Sequence, residues 1–118
     1  MIEELTERSQ ELADLPLEVR LQEFCHCFLN SKYGGWEDGT DLESMDDFNF
    51  RLDTLDCVTY VEVVLALAKT APGSSFTELL KRIHYKNGIP NFISRNHFTS
   101  LDWIPNNSFL VEDITQSL

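Results

Sequence analysis

The chain has 118 residues, enough for one domain with a hydrophobic core, and a formal net charge of −11 from 20 acidic and 9 basic residues. Binding a phosphate backbone needs clustered lysine and arginine, so this charge argues against a nucleic-acid partner. No apolar run approaches the roughly 20 residues that a membrane-spanning helix needs, so no membrane span is predicted. The amino terminus also lacks the basic and apolar pattern of a secretion signal.

The first quarter of the chain is predicted to be helical. Residues 3–13 are rich in helix-forming side chains, which predicts a helix that ends near Pro16. Proline suits the first turn of a helix, and apolar residues then repeat at helical spacing from Leu17 to Phe28. A second helix is therefore predicted over about residues 16–30.

A long ordered loop is predicted over residues 34–54, where Gly, Asp, Asn and aromatic residues follow no period. The acidic stretch 37–47 lies inside it. This stretch lacks the spaced Asp/Asn, Gly and Glu pattern of an EF-hand, so a solvated loop is favoured over a calcium site.

Two groups that resemble metal ligands are interpreted as structural or surface residues. Cys25 and Cys27 flank His26, but one intervening residue is short for a zinc clip and the segment follows a helical apolar stripe. Buried structural thiols are the favoured interpretation. His84 is flanked by cationic side chains and is predicted to lie on the surface.

The most informative prediction is a central helix over residues 56–69, capped by Thr54 or Asp56. Cys57 would lie at its start, where unpaired backbone N–H groups and the positive end of the helix dipole stabilise a thiolate. Another helix is predicted over residues 75–83, with a cap from Ser74 or Ser75.

Short strands are predicted over residues 89–92, 97–103 and 109–114, with a turn at 105–108 between the last two. Helices followed by strands indicate an α+β fold with a small antiparallel sheet.

Cys57 and His97, 40 residues apart, form a candidate catalytic pair. Acyl transfer by cysteine needs a thiolate, an imidazole within about 3 Å and a polar group that fixes the tautomer of the imidazole. Candidates for this third group are Asn107, Glu112 and Asp113. Either member of the pair, taken alone, is also compatible with a packed structural role, so spacing and composition leave both interpretations open.

The segment 55–68, Leu-Asp-Cys-Val-Thr-Tyr-Val-Glu-Val-Val-Leu-Ala-Leu-Ala, resembles the nucleophile segment of N-acetylmuramoyl-L-alanine amidase-like proteins. This family resembles a specialised branch of the NlpC-type, papain-like peptidoglycan cysteine hydrolases. Further similar segments follow in order at 76–80, 83–88, 94–98, 102–104, 106–107 and 111–115. The likeness covers about residues 50–115, whereas residues 1–49, the helical lead-in and acidic loop, match only loosely.

The resemblance implies a single amidase-like domain over residues 1–118, with a papain-like (NlpC-type) α+β fold. It implies hydrolysis of the bond between N-acetylmuramic acid and L-alanine in peptidoglycan fragments (muropeptides), without a metal or cofactor, in the cell envelope or periplasm. Members of the family are expected to extend beyond the position of Thr115, so a truncated or divergent sheet and cleft are expected here. The alternative is an inactive remnant or an acidic binding module of the same fold.

The resemblance also assigns roles to single residues. Cys57 becomes the nucleophile and His97 the general base. Alternation along the last predicted strand places Asp113 on the face opposite Glu112, and Asp113 is favoured as the third catalytic residue, with Asn107 second. Asp56 is expected to hold a substrate amide or amine. The other residues expected to contact substrate are Tyr60, Arg95, Trp103 and Asn107, and a core position is an equal alternative for Trp103.

Overall fold

The computed structural model describes residues 2–36, 50–70, 72–89 and 94–115. The chain forms two compact units, one made of Met1–Glu37 and Asn49–Leu80 and the other of Asp38–Phe48 and Lys81–Leu118. Within the described ranges, no helix has the length and the apolar character required to cross a bilayer. The single domain over residues 1–118 stays a prediction.

Helices dominate the first unit. Its elements in chain order are α1 (Ile2–Glu11), α2 (Leu17–Cys27), β1 (Lys32–Tyr33), β2 (Thr54–Leu55), α3 (Cys57–Lys69) and the start of α4 (Phe76–His84). The four predicted helices are confirmed, with ends that differ by a few residues. Ser75 Oγ accepts a bond from the backbone N–H of Glu78, so Ser75 is the residue that caps α4. The predicted acidic stretch 37–47 lies outside the described residues.

The helix α3 is the centre of the first unit, and both α1 and α2 pack against it. Val63, Ala66 and Leu67 are fully buried along its length. The last carbonyl groups of a helix have no partners within the helix. Here the Ser9 hydroxyl donates to Leu67 O at 2.7 Å, and the Arg20 guanidinium donates to Ala68 O. The carboxyl end of α3 is thus fixed by side chains from outside the helix.

The amino end of α3 is positioned by the sheet. The strands β1 and β2 pair in parallel, with Lys32 opposite Thr54 and Tyr33 opposite Leu55. Leu55 is buried, and one residue after it α3 begins. A Cβ atom on Gly34, directly after β1, would lie 2.6 Å from the Thr54 methyl group, so the close approach of the strands requires glycine there.

We expect Gly34→Ala to lower the free energy of unfolding by about 1–3 kcal/mol, because the new methyl group overlaps Thr54. The companion change Thr54→Ser removes the opposing methyl group. The double variant should therefore recover part of the loss in a urea titration. If Thr54→Ser restored nothing, the contact would not be the cause of the loss.

The second unit departs from the predicted strands. It contains the end of α4, a 3₁₀ turn at Lys86–Gly88, a π-helical turn at Thr99–Trp103 and α5 (Ile104–Asn106). The strand predicted over 97–103 is wrong, because most of it is helical. The strand predicted over 109–114 is also wrong, since 107–110 form a turn and 111–114 have no regular structure. Most of the segment 89–92 lies outside the described residues.

The predicted antiparallel sheet is not confirmed. Among the described residues, the two strands pair in parallel, and the antiparallel pairing is an isolated bridge between Tyr85 and Arg95. What the structure has is a mostly helical α+β fold with a small parallel two-stranded sheet.

Two predictions about exposure are also corrected. His84 is buried, with its ring edge-on to the ring of Tyr85 at 4.7 Å between centroids, although it was predicted to lie on the surface. Cys27, predicted as a buried thiol, is exposed, and Cys25 is partly buried. Phe24 and Phe28 occupy the inward face of this segment, which leaves Cys27 facing outward.

Candidate functional site

Cys57 is the first residue of α3, and its side chain is exposed. Asp56 caps the helix: its Oδ1 atom accepts bonds from the backbone N–H groups of Val58 at 3.0 Å and Thr59 at 2.8 Å. The Thr59 hydroxyl in turn accepts a bond from the backbone N–H of Asp56 at 2.8 Å. This reciprocal capping box fixes the first turn of the helix and holds the thiol at the positive end of the helix dipole.

A groove of about 280 Å³ lies beside Cys57 within the first unit. Its wall is largely apolar and aromatic, and Tyr33 is 84% exposed. The lining residues are Phe28, Leu29, Ser31, Tyr33, Leu55, Asp56, Cys57 and Tyr60. An apolar concavity with a few polar groups, next to an exposed thiol, has the character of a ligand-binding site.

Tyr60, one helical turn after Cys57, forms part of this groove. Its hydroxyl donates a hydrogen bond to Cys25 O at 2.8 Å, near the carboxyl end of α2. Burial, followed by interaction with Cys25, raises the pKa of Tyr60 above its ordinary value, so the phenol is protonated at neutral pH. In this structure Tyr60 therefore joins α2 to α3 at the groove. Its contact with substrate stays a prediction.

His97 lies in the second unit, and its side chain is exposed. Its backbone N–H donates to Arg95 O at 3.0 Å, which makes a tight turn directly after the bridge between Tyr85 and Arg95. The residue before it, Asn96, is buried. The chain here turns from a buried position to an exposed one within a single residue.

Asp113, predicted as the third catalytic residue, also lies in the second unit and is exposed. Its Oδ1 atom accepts bonds from the Thr115 hydroxyl at 2.6 Å and the Thr115 backbone N–H at 3.0 Å. These two bonds, the hydroxyl first, hold the pKa of the Asp113 carboxyl below its ordinary value. The group is therefore a charged acceptor at neutral pH, which is the state needed to orient an imidazole.

Trp103 and Asn107 are buried. The side-chain nitrogen of Asn107 donates to Ile83 O at 3.0 Å and to Trp103 O at 2.9 Å, and no donor within the described ranges reaches its buried Oδ1 atom. Such an arrangement ties backbone segments together. The burial of Trp103 agrees with the core alternative for that residue, and the substrate-binding roles of both residues stay predictions.

The predicted site residues fall into two groups. The first unit brings together Asp56, Cys57 and Tyr60, and the second unit carries Arg95, His97, Trp103, Asn107 and Asp113. The catalytic pair therefore takes one residue from each unit, and its formation stays a prediction.

Several residues of the cap, the groove and the end of α4 were not predicted to have a role at the site. Thr59 completes the cap, and its position three residues after Asp56 is a readable signal. Leu29 and Tyr33 line the groove, and Asn96 contacts the backbone of α4. Tyr33 lies in β1 and reaches the groove through the pairing of β1 with β2, whereas Leu29 lies in the turn that follows α2.

Cys57 and Cys27 provide an internal comparison of thiol reactivity, because both are exposed and they lie at opposite ends of helices. The positive end of a helix dipole favours a thiolate and the negative end disfavours it. We expect iodoacetamide to label Cys57 faster than Cys27 at pH 6, by roughly 10-fold. Peptide mapping by mass spectrometry measures the two rates in one sample. Equal rates would show that the helix position does not activate Cys57.

The sequence matches the family model described as N-acetylmuramoyl-L-alanine amidase-like over residues 23–118, most of the chain. The chain belongs to this amidase-like family. The match includes Cys57, His97 and Asp113. A search of curated proteins gives no match.

Solved structures resemble this amidase-like chain over much of its length. A Legionella pneumophila protein of the DUF1460 family is 36% identical with a TM-score of 0.77, and the match covers 98% of this chain and 40% of that one. A Bacteroides fragilis protein provisionally named a xylanase is 31% identical with a TM-score of 0.65, covering 80% of this chain and 44% of that one. An N-acetylmuramoyl-L-alanine amidase from Bacteroides uniformis is 27% identical with a TM-score of 0.64, covering 79% and 40%. The chain thus spans less than half the length of these proteins.

Proposed function

We propose that this amidase-like chain is, or forms part of, a cysteine amidase that hydrolyses the bond between N-acetylmuramic acid and L-alanine in muropeptides. The observation that carries the proposal is the exposed thiol of Cys57 at the first residue of a capped 13-residue helix, inside the segment that matches the family. The structural neighbour named as an N-acetylmuramoyl-L-alanine amidase supports the choice of substrate.

The first half of the proposed reaction transfers the acyl group to the enzyme. His97 takes the proton of the Cys57 thiol, and the resulting thiolate attacks the lactyl carbonyl carbon of the muramic acid, whose carbonyl oxygen becomes an oxyanion. The backbone N–H of Cys57, at the amino end of α3, supplies a donor for this oxyanion. His97 then gives this proton to the amine of L-alanine, the C–N bond breaks and the stem peptide departs, while the muramic acid remains on Cys57 as a thioester.

The second half releases the sugar. His97 takes a proton from water, and the hydroxide attacks the thioester carbonyl carbon. The C–S bond breaks, the muramic acid leaves with a free carboxyl group, and the Cys57 thiolate is restored. In this scheme Asp113 holds the imidazole in the required tautomer, and its lowered pKa keeps it charged for that role.

The groove beside Cys57 supports a substrate position in the first unit. Its aromatic wall suits the apolar face of a sugar or the methyl group of alanine, and Asp56 supplies an acceptor at its edge. Arg95, Trp103 and Asn107 would contribute from the second unit. We further propose a papain-like, NlpC-type arrangement of the full enzyme and action in the cell envelope or periplasm. Because the chain spans 40–44% of the three related structures, the activity of the whole protein is part of the proposal.

The deciding experiment is incubation of the protein with defined muropeptides, followed by mass spectrometry of the products. The expected products are the free stem peptide, with an unblocked L-alanine, and the free muramic acid sugar. Cleavage between amino acids of the stem would instead indicate a peptidase. Binding of the muropeptide without cleavage would favour the binding-module alternative.

A further inference from the structure

A network of three asparagine side chains surrounds the backbone that leads into His97. Asn96 donates from Nδ2 to Ile83 O at 2.9 Å, and its Oδ1 atom accepts a bond from Asn106 Nδ2 at 2.8 Å. The side chain of Asn107 donates to the same Ile83 carbonyl at 3.0 Å. All of these residues belong to the second unit.

The network uses backbone groups that a helix leaves without partners. Ile83 and His84 lie in the last turn of α4, where carbonyl groups have no partner within the helix. Ile83 O accepts the two amide donors, and His84 O accepts the backbone N–H of Asn96 at 3.0 Å. The end of α4 is therefore capped by residues that come much later in the chain.

Asn96 is the link between this cap and His97. Asn96 is buried with 6% exposure, whereas the next side chain is exposed. The Tyr85–Arg95 bridge has a backbone bond on each side. One joins Asn96 N–H to His84 O, and the other joins Lys86 N–H to Ser94 O at 2.6 Å, so the segment before His97 is held by main-chain bonds. The backbone of His97 consequently starts from a position fixed by both the main chain and the side chain of Asn96.

We propose that Asn96 is a positioning residue for His97. Its side-chain amide joins the end of α4 to Asn106, and this fixes the direction in which the imidazole of His97 points from the backbone. This inference rests on the proposed function, in which His97 is the general base. A general base acts only within hydrogen-bond reach of the proton it moves, and a shift of about 1 Å can cost roughly 100-fold in rate. Asn96 touches no reacting atom in this scheme and acts through His97.

The test is Asn96→Asp, which keeps the shape of the side chain but removes the donor to Ile83 O. We expect kcat to fall by about 10- to 100-fold with KM changed less than about twofold. Amide hydrogen exchange of His97, followed by NMR, should become faster. Asn106→Ala removes the donor to Asn96 Oδ1 at a half-buried position and leaves the bond from Asn96 to Ile83 O in place, so it should give a smaller fall in kcat and a smaller change in exchange.

The matched control is Ile83→Val, which keeps the accepting carbonyl and trims a fully buried side chain in the same unit. It should lower thermal stability while kcat per folded molecule and the exchange of His97 stay as in the unchanged protein. If Asn96→Asp behaved like Ile83→Val, Asn96 would be merely structural and the inference overturned. If the unchanged protein released no stem peptide, the proposed function would fail, and the positioning role would fail with it. If the unchanged protein were active and Asn96→Asp did not change its kcat, the positioning role alone would be overturned.

Discussion

Replacing Cys57 by alanine is expected to lower the rate of stem-peptide release by at least about 1000-fold, because the proposed reaction has no acyl acceptor without the thiol. The fold should be unaffected. The side chain is exposed, the Asp56 cap accepts its bonds from Val58 and Thr59, and alanine is a good helix former. A change in the free energy of unfolding within about 0.5 kcal/mol is expected.

The measurement is a rate of L-alanine-peptide release by mass spectrometry, together with a urea titration of the same sample. Cys27→Ala is the control, because that thiol is also exposed in the first unit but lies at the carboxyl end of α2. It should keep full activity. An active Cys57→Ala variant would remove the cysteine mechanism, whatever the substrate proves to be.

Replacing His97 by asparagine is expected to reduce kcat by roughly 100- to 10,000-fold, since asparagine can form hydrogen bonds but cannot shuttle a proton. The substrate should still bind, so KM should change much less than kcat. His26→Asn is the matched control. That imidazole is exposed on α2 in the first unit, and its replacement should leave kcat unchanged.

The two catalytic changes are also expected to be non-additive. If Cys57 and His97 act together in the same catalytic steps, the double variant Cys57→Ala/His97→Asn should be about as inactive as Cys57→Ala alone. If the fold-losses in rate of the two single variants multiplied in the double variant, the two residues would have separate roles. This cycle tests the pairing across the two units without a further structure.

The central helix was predictable because several local signals agree in sequence. Asp56 offers a cap, Thr59 completes it, and apolar residues follow at helical spacing to Lys69. The observed helix, Cys57–Lys69, differs from the prediction only at its first residue, which is the cap itself. The exposure of the Cys57 thiol could not be read from these signals, because Thr59 in the same first turn is fully buried.

The segment after His97 was mispredicted because a side chain competes with strand pairing. Asp102 accepts a bond from the backbone N–H of Phe98 at 3.2 Å, and the backbone N–H of Asp102 donates to Phe98 O at 2.9 Å. These bonds close a helical turn over residues that have the aromatic and β-branched composition of a strand. Composition favoured extended backbone, whereas local hydrogen bonding decided the outcome.

His84 shows that periodicity was a better guide than neighbouring charge. Phe76, Leu80 and Ile83 are buried in α4, and His84 is four residues after Leu80 on the same face. The adjacent lysine and arginine suggested a surface position, yet they lie on other faces of the helix. The groove beside Cys57, by contrast, depends on the parallel pairing of Lys32 with Thr54 across residues distant in sequence, and no local pattern predicts it.

The bonds that fix the carboxyl end of α3 determine how far the amino terminus of the protein can be shortened without loss of the fold. The family match begins at residue 23, but Ser9 and Arg20, which hold Leu67 O and Ala68 O, both precede it. A recombinant protein trimmed to the matched region would lack α1, which packs against α3, and would leave these carbonyl groups without the two side-chain donors. The minimal folding unit is therefore larger than the region that family resemblance delimits, and expression should start at or before α1.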